Sequence, residues 1–256
     1  GLPRPEAMAA FARAALRRYK GKIAAVECFN EKTTGQWPNV ASRRVAAYAQ
    51  CQKAVYRAVK AEDPDVVVTM PGIWQNPLYY LEDMYKAGLK DYFDVGNFHY
   101  YVVAGNGDPR HIDYFRGDLG FQLKYFIHVM NKYGDTSKPI WCTEIGWDDN
   151  LPAGVGEDRM AEYLVAAYDM MRRSGRVERV FWYVLDGGWM GLTQRGRKLQ
   201  AFHAMRDYVR KHPVWQVGPR QPLAKAPPPG SAALAIPNAG FEDGLVRWKT
   251  PAEYAN

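Results

Sequence analysis

The chain has 256 residues, 47% hydrophobic and 24% charged, so it can bury a large core as one domain, or as one domain with an additional fragment. Its net charge is +7, but the basic residues are spread along predicted amphipathic helices, with neither zinc-finger spacing nor an RNP-like aromatic motif. No apolar run approaches the roughly 20 residues of a membrane span. We therefore expect a globular protein that binds neither nucleic acid nor a membrane.

The predicted elements alternate between helix and strand. Helices are indicated by apolar residues at helical spacing, and strands by short apolar runs. In chain order they are helix 5–19, strand 22–31, helix 40–61, strand 65–70, helix 77–86, strand 92–101, helix 113–132, strand 139–147, helix 157–173, strand 179–185 and helix 198–211. Each of the five strands is followed by its own helix, which predicts right-handed βαβ crossovers, a parallel sheet and an α/β fold.

The end of the chain has a different amino-acid composition. Residues 213–235 are rich in proline and predict a stiff, extended linker. Residues 236–256 are typical of the start of a β-sandwich-like domain that is cut short. The chain also opens with Gly-Leu-Pro-Arg-Pro and passes at once into a helical pattern, so we expect no signal peptide here. The three cysteines form no Cys-x-x-Cys pair, so they indicate neither a metal knuckle nor a disulfide framework.

Two of the predicted strands carry a glutamate near the point where the strand gives way to a loop. The first is strand 22–31, which ends at Glu31, and the second is strand 139–147, which carries Glu144. Parallel strands bring their carboxyl ends to the same edge of a sheet, so we expect the two side chains to lie close together. Paired carboxylates are what the cleavage of a glycosidic bond requires.

Four short motifs extend this pairing. Residues 26–31 read Val-Glu-Cys-Phe-Asn-Glu, residues 98–101 read Phe-His-Tyr-Tyr, residues 143–147 read Thr-Glu-Ile-Gly-Trp, and residues 181–187 read Phe-Trp-Tyr-Val-Leu-Asp-Gly. In this order and spacing they resemble strands 4, 6, 7 and 8 of the clan A glycoside hydrolases, which are retaining (β/α)8 barrels such as families 39 and 5. The resemblance implies that residues 1–212 form the C-terminal portion of a TIM (β/α)8-type barrel, with strands 1–3 absent from this chain. The start of the 236–256 segment is similar to the first strand of carbohydrate-binding β-sandwiches.

The resemblance implies a retaining, double-displacement hydrolysis of a β-glycosidic bond in a poly- or oligosaccharide. Glu31 would be the general acid and later the base, and Glu144 would be the nucleophile, with their carboxyl groups about 5–5.5 Å apart. The implied substrate-binding residues are Asn30 at the sugar 2-hydroxyl, His99 in the pocket, Tyr101 as the residue that orients Glu144, and the ring-stacking candidates Trp147, Trp182 and Trp189. Neither a cofactor nor a metal is expected. The substrate class predicts a secreted or cell-envelope protein.

Two features depart from the family pattern. Strand 4 of the family ends in Trp-Asn-Glu-Pro, whereas this chain has Phe29 in place of the tryptophan and Lys32 in place of the proline. A barrel of about 250 residues would also place about 90 residues before this first strand. Five strands cannot close a barrel because both outer edges stay open. We therefore expect a fragment, a part whose N-terminal strands lie on a partner, or an open sheet.

Plainer interpretations stand beside these. A single glutamate at a strand end is most often a solvated residue or an ion-pair partner, and His99 alone is typical of a core histidine. Glu27 shares the inward side of Glu31 and is expected to support the structure beside a buried cation. His111, Asp113 and Asp118 lack a metal-ligand spacing and are expected on a surface loop. A carbohydrate-binding protein without activity is the alternative function, while the sugar, the linkage and the choice between endo and exo cleavage stay open.

Overall fold

The computed structural model describes residues 4–31, 38–74, 78–102, 107–110, 118–150 and 152–213. The predicted linker beyond residue 213 and the predicted β-sandwich segment lie outside these residues. Within the described part of the chain, no helix is both long and apolar enough to cross a bilayer.

The described elements alternate as expected. The helices are α1 (Pro5–Arg18), α2 (Pro38–Glu62), α3 (Leu78–Lys86), α4 (Leu119–Lys132), α5 (Glu157–Arg173) and α6 (Gln200–Lys211). The strands are β1 (Ala25–Glu27), β2 (Val67–Thr69), β3 (Ile73–Trp74), β4 (Gly96–Val102), β5 (Ile140–Trp147), β6 (Val177–Trp182), β7 (Thr193–Gln194) and β8 (Arg197–Lys198).

All strands from β1 to β6 pair in parallel. β1 pairs with β2, and β3, β4, β5 and β6 follow one another in a second sheet. Isolated parallel bridges from Asn30 to Gly72 and from Thr69 to Val95 connect the two sheets. The prediction of an α/β fold with a parallel sheet is confirmed. Among the described strands, β1 and β6 lie at opposite ends of this order and do not pair with each other.

Two details differ from the predicted elements. The predicted strand 65–70 continues as β3 after a break at Pro71 and Gly72, because proline has no N–H to donate to a neighbouring strand. The β7–β8 hairpin was not predicted. Its turn residues Arg195 and Gly196 both have positive φ, at 50° and 78°, which is the backbone of a tight two-residue hairpin turn.

Two apolar clusters support the sheet. The larger one lies between the β3–β6 sheet and helices α3 to α6, and it contains the alternate residues Phe98 and Tyr100 of β4. A smaller one joins α1 and α2 to β1 and β2 through residues such as Leu16 and Val68. The other face of β4 therefore carries the residues between them, among which His99 and Tyr101 are polar. This arrangement places polar side chains on one face of the sheet and the core on the other.

Candidate active site

The sheet brings four of the predicted site residues together. Glu31 follows β1, His99 and Tyr101 lie on β4, and Glu144 lies on β5. The register pairs His99 directly with Glu144. Although 113 positions separate the two glutamates in sequence (144 − 31), parallel pairing brings both of their side chains to the same histidine.

His99 is at the centre of this group. Its Nδ1 lies 2.7 Å from Glu31 Oε1 and 3.5 Å from Glu144 Oε2. The ring is fully buried and packs directly on Gly72, where a Cβ atom would lie 2.0 Å from His99 Nε2. Any side chain at position 72 would displace the histidine from both carboxylates. His99 is thus a buried histidine, as the plainer interpretation expected, but it is also the contact between the two glutamates.

Glu31 reaches this position through an unusual backbone conformation. Its φ is +49°, in the left-handed region that L-residues other than glycine rarely adopt. Its neighbour Asn30 is exposed and forms the parallel bridge to Gly72. The left-handed residue turns the chain just after the strand, and the Glu31 carboxylate then points at His99.

Glu144 is held by a neighbouring tyrosine. The Tyr101 hydroxyl donates a hydrogen bond to Glu144 Oε2. Burial raises the pKa of Tyr101 well above its ordinary value, and the hydrogen bond to Glu144 raises it further. The hydroxyl therefore remains a protonated donor, and the bond fixes the orientation of the carboxylate.

A β-bulge brings a further residue to the same face. Phe98 pairs with Cys142, but the next residue, His99, pairs with Glu144, so Thr143 is an extra residue in β5. Thr143 and Glu144 therefore both face the site, although consecutive residues of a regular strand face opposite ways. The Thr143 hydroxyl lies 2.8 Å from His99 Nε2.

Glu27 completes the network. Its Oε1 accepts the N–H of Gly72 at 2.8 Å, its Oε2 accepts the Thr143 hydroxyl at 3.1 Å, and His99 Nε2 lies 3.8 Å away. Burial raises the pKa of Glu27, while these hydrogen bonds and the histidine act in the opposite direction. The expectation of a buried cation beside Glu27 is wrong. Among the described contacts, an N–H group and a hydroxyl satisfy this carboxylate instead.

The three predicted ring-stacking tryptophans have different surroundings. Trp147 is 0% exposed, stacks on Trp182 and donates its Nε1–H to the carbonyl of Gly107. A ring without exposed surface cannot stack on a sugar, so the expectation for Trp147 is wrong. Trp182 is partly buried and donates to the Met190 carbonyl, which leaves it mainly a packing group. Trp189 is 63% exposed and keeps a free ring surface.

The sequence interpretation missed another aromatic residue. Tyr183 is 49% exposed, and its ring lies edge-on to Tyr101 with centroids 5.6 Å apart. The signal was the alternation in and after β6, where Phe181, Tyr183 and Leu185 are exposed while Trp182 between them is not. Tyr183, and not Trp182, is the exposed ring beside the Tyr101–Glu144 pair.

Among the described residues, one group has the geometry of a metal site. One ligand atom each of Glu31, His99 and Glu144 lies within 4.8 Å of the others. These three residues, which we call the carboxylate–histidine cluster, could hold a divalent cation that accepts nitrogen and oxygen ligands. Asp118 is instead the buried residue preceding α4, and His111 and Asp113 lie outside the described residues.

Solved structures of three glycosidases resemble this fold. A β-glucuronidase of Bacteroides uniformis aligns with a TM-score of 0.57 and 13% identity, over 77% of this chain and 25% of its own. The GH39 enzyme of Xanthomonas axonopodis pv. citri aligns with a TM-score of 0.57 and 17% identity, over 82% of this chain and 45% of its own. The GH53 catalytic domain of Ignisphaera aggregans aligns with a TM-score of 0.56 and 15% identity, over 79% of this chain and 64% of its own. At these identities the likeness concerns the fold alone.

The chain thus spans between 25% and 64% of the length of these three proteins. A comparison with curated protein sequences gives no match. The family model described as the glycosyl hydrolase catalytic core matches residues 13–207, which include the whole carboxylate–histidine cluster together with Glu27, Tyr101 and Thr143. Because this match covers most of the chain, the protein belongs to the glycosyl hydrolase catalytic core family.

Proposed function

We propose that this chain carries the catalytic pair of a retaining glycosidase that cleaves β-glycosidic bonds in a poly- or oligosaccharide. The observation that carries the proposal is that carboxylate oxygens of Glu31 and Glu144 lie within 4.8 Å of each other. Retaining enzymes keep their carboxyl groups about 5–5.5 Å apart, whereas inverting enzymes need about 6.5–9.5 Å to admit a water. The short separation favours a covalent route.

In the first step, Glu144 attacks the anomeric carbon and forms a glycosyl ester. The bond from that carbon to the leaving oxygen breaks, and Glu31 delivers its proton to this oxygen. The Glu31 side chain suits this role because it is partly exposed, at 26%, and its carboxyl contacts His99, which can share its proton. Tyr101 donates to Glu144 Oε2 and stabilises its carboxylate form, which is consumed in this step and re-formed in the second.

In the second step, water displaces Glu144 from the sugar. Glu31, now ionised, takes a proton from a water molecule whose oxygen attacks the anomeric carbon, and Glu144 leaves as a carboxylate. The two displacements restore the original anomeric configuration. The exposed Asn30 beside Glu31 is the proposed partner of the sugar 2-hydroxyl, and the exposed rings of Tyr183 and Trp189 are the proposed stacking surfaces.

The other expectations belong to this proposal. Because the chain spans only part of the neighbouring glycosidase structures, we propose that polypeptide outside this segment supplies barrel strands 1–3. A glycan substrate favours a secreted or cell-envelope location. The C-terminal segment 236–256 would then begin a carbohydrate-binding domain.

The test uses aryl β-glycosides with poor and good leaving groups, assayed with the chain alone and with the polypeptide that supplies the first strands. Glu144→Gly should lose hydrolysis, and azide should then yield the α-glycosyl azide. Glu31→Gly should lose cleavage of poor leaving groups but retain release of 2,4-dinitrophenol, which needs no protonation, and azide should yield the β-glycosyl azide. Glu162→Gln, on the surface of α5, is the matched control.

The stereochemistry of the product decides the mechanism. Proton NMR should show the β-anomer as the first product. An α-anomer as the first product, or hydrolysis that survives Glu144→Gly without azide, would reject the proposal. Binding of glycans without turnover would instead support the non-catalytic carbohydrate-binding alternative.

A further inference from the structure

The Thr143 hydroxyl has three polar neighbours. It lies 2.8 Å from His99 Nε2, 3.1 Å from Glu27 Oε2 and 3.0 Å from Asn97 Oδ1. A hydroxyl has one proton to donate and can accept hydrogen bonds through its lone pairs. The protonation of its neighbours therefore determines where that proton goes.

The orientation of Asn97 is determined by the backbone. Its Nδ2 donates to the carbonyl of Met70 at 3.3 Å, and its Oδ1 accepts the backbone N–H of Thr143 at 3.2 Å. Flipping the amide would place its NH2 group against the Thr143 backbone N–H and its oxygen against the Met70 carbonyl oxygen, and both contacts would be repulsive. Asn97 therefore presents an acceptor oxygen to the Thr143 hydroxyl, and Glu27 presents a carboxylate oxygen.

These acceptors determine the tautomer of His99. If the Thr143 proton went to His99, both the Asn97 and Glu27 oxygens would face the hydroxyl oxygen without a proton between them. The favoured arrangement has Thr143 donating to Glu27 or Asn97 and accepting from His99, so the histidine carries a proton on Nε2. The orientation of Asn97 makes this hold even when Glu27 is protonated.

The other ring nitrogen, Nδ1, then shares a hydrogen bond with Glu31. Nδ1 and Glu31 Oε1 are 2.7 Å apart, and two lone pairs at that distance would repel each other, so one proton lies between them. It is either the carboxyl proton of Glu31 or the second proton of an imidazolium. In both cases the Glu31–His99 pair holds the proton that the leaving oxygen needs.

We propose that Thr143 is a positioning residue for general acid catalysis. Backed by Glu27 and Asn97, its hydroxyl keeps His99 protonated on Nε2 and directs Nδ1 to Glu31, so that the pair stores one proton. The catalytic part of this inference rests on the proposed function, whereas the tautomer of His99 does not depend on turnover.

Other ionisable groups surround the Glu31–His99 pair. His99 faces the carboxylates of Glu27 and Glu31 from the β1 segment and of Glu144 from β5, and Tyr101 contacts its ring from β4. Tyr48 on α2 lies near Glu27, and burial, with Glu27 as a smaller cause, raises its pKa. Thr143 has no ionisable group, so a change at position 143 leaves the number of charges in the site unchanged.

The test compares Thr143→Val, which removes the hydroxyl at nearly constant volume, with Thr143→Ser, which keeps it. Without the hydroxyl, His99 can move its proton to Nδ1 and donate to ionised Glu31, which favours the form of Glu31 that cannot protonate the leaving group. We expect Thr143→Val to lower kcat about 10- to 100-fold, a part of what general acid catalysis supplies. The serine variant should keep the wild-type kcat, whereas a loss that came only from the change of size would affect both variants.

Nitrogen-15 NMR of the chain labelled at its five histidines reads the tautomer directly, with His99→Asn used to assign the signal. We expect a protonated Nε2 in the wild type and in Thr143→Ser, and a shift toward protonated Nδ1 in Thr143→Val. A wild-type His99 that lacks the Nε2 proton overturns the proposal even if the valine variant does not fold. Unchanged ring signals in the valine variant also overturn it. If the tautomers behave as expected but no glycoside is cleaved, the proposed function fails and the positioning of His99 stands.

Discussion

Removal of the Tyr101 hydroxyl tests the division of the reaction into two steps. In the structure this hydroxyl donates to Glu144 Oε2, and its pKa is raised by burial and by the same carboxylate. The phenol therefore donates throughout the working pH range, and Tyr101→Phe removes the bond without removing a charge. The ring and its contact with Tyr183 would remain.

The size of the effect follows from the type of bond. A hydrogen bond to a charged group contributes about 1.5–3 kcal/mol, and about 1.4 kcal/mol corresponds to a factor of ten. In the second step Glu144 regains its negative charge as it leaves the sugar, so the bond strengthens in that transition state. We expect deglycosylation to slow about 10- to 150-fold, whereas glycosylation, in which Glu144 loses charge, should not slow.

The assay is a stopped-flow measurement with a 2,4-dinitrophenyl glycoside. Tyr101→Phe should give a burst of one dinitrophenol per site, a lower kcat and a lower KM, and mass spectrometry should find the sugar on Glu144. Tyr19→Phe, at an exposed position after α1, should behave as the wild type. A kcat within twofold of the wild type, or a reduced kcat without a burst, would refute this reasoning.

Three further predictions use other parts of the site. Trp147→Ala removes a ring that is 0% exposed and should lower the free energy of unfolding by about 3–5 kcal/mol in urea titrations. Trp189→Ala, at a position that is 63% exposed, should change it by less than about 0.5 kcal/mol. Equal effects of the two substitutions would contradict the burial argument. Burial raises the pKa of Glu27, so folding favours its protonated form and this contribution to stability is lost as pH rises above about 4.3. The stability of Glu27→Gln relative to the wild type should therefore increase with pH above that value, and a pH-independent difference would contradict the shift. Zn²⁺ should inhibit the enzyme by occupying the carboxylate–histidine cluster, and EDTA should reverse this inhibition. His99→Ala should be inhibited more weakly, and Mg²⁺, which prefers oxygen ligands, should have little effect on the wild type. Equal inhibition by both ions would argue against the cluster as the binding site.

The fold was largely predictable because the longer parallel strands, β4 and β5, are mostly buried and lie between amphipathic helices. The strand ends were less predictable. The break between β2 and β3 depends on Pro71 and Gly72, and Gly72 is needed because His99 packs against it. That contact joins residues 27 positions apart (99 − 72), so it leaves no local pattern in the sequence.

The candidate site divides in the same way. Glu31 and Glu144 could be proposed because each lies in a predicted strand, within a motif that resembles a known family. The contacts that hold His99 could not be predicted, because Thr143 and Glu27 are 116 positions apart in the sequence and meet only in the folded sheet. The expectation for Trp147 was wrong, and strand alternation already argues against it, because Trp147 is three residues after Glu144 and so lies on the opposite, buried face of β5.

The extra residue in β5 makes this strand tolerant of some mutations and intolerant of others. Substitutions at positions 143 and 144 leave the path of the strand unchanged and alter only the chemistry of the site. Deletion of either residue would restore regular alternation, which keeps Ile145 and Trp147 in the core but leaves one side chain on the site face where there are now two. The site would lose either the Thr143 hydroxyl or the Glu144 carboxylate. We therefore expect natural variation in this segment to occur by replacement at constant length.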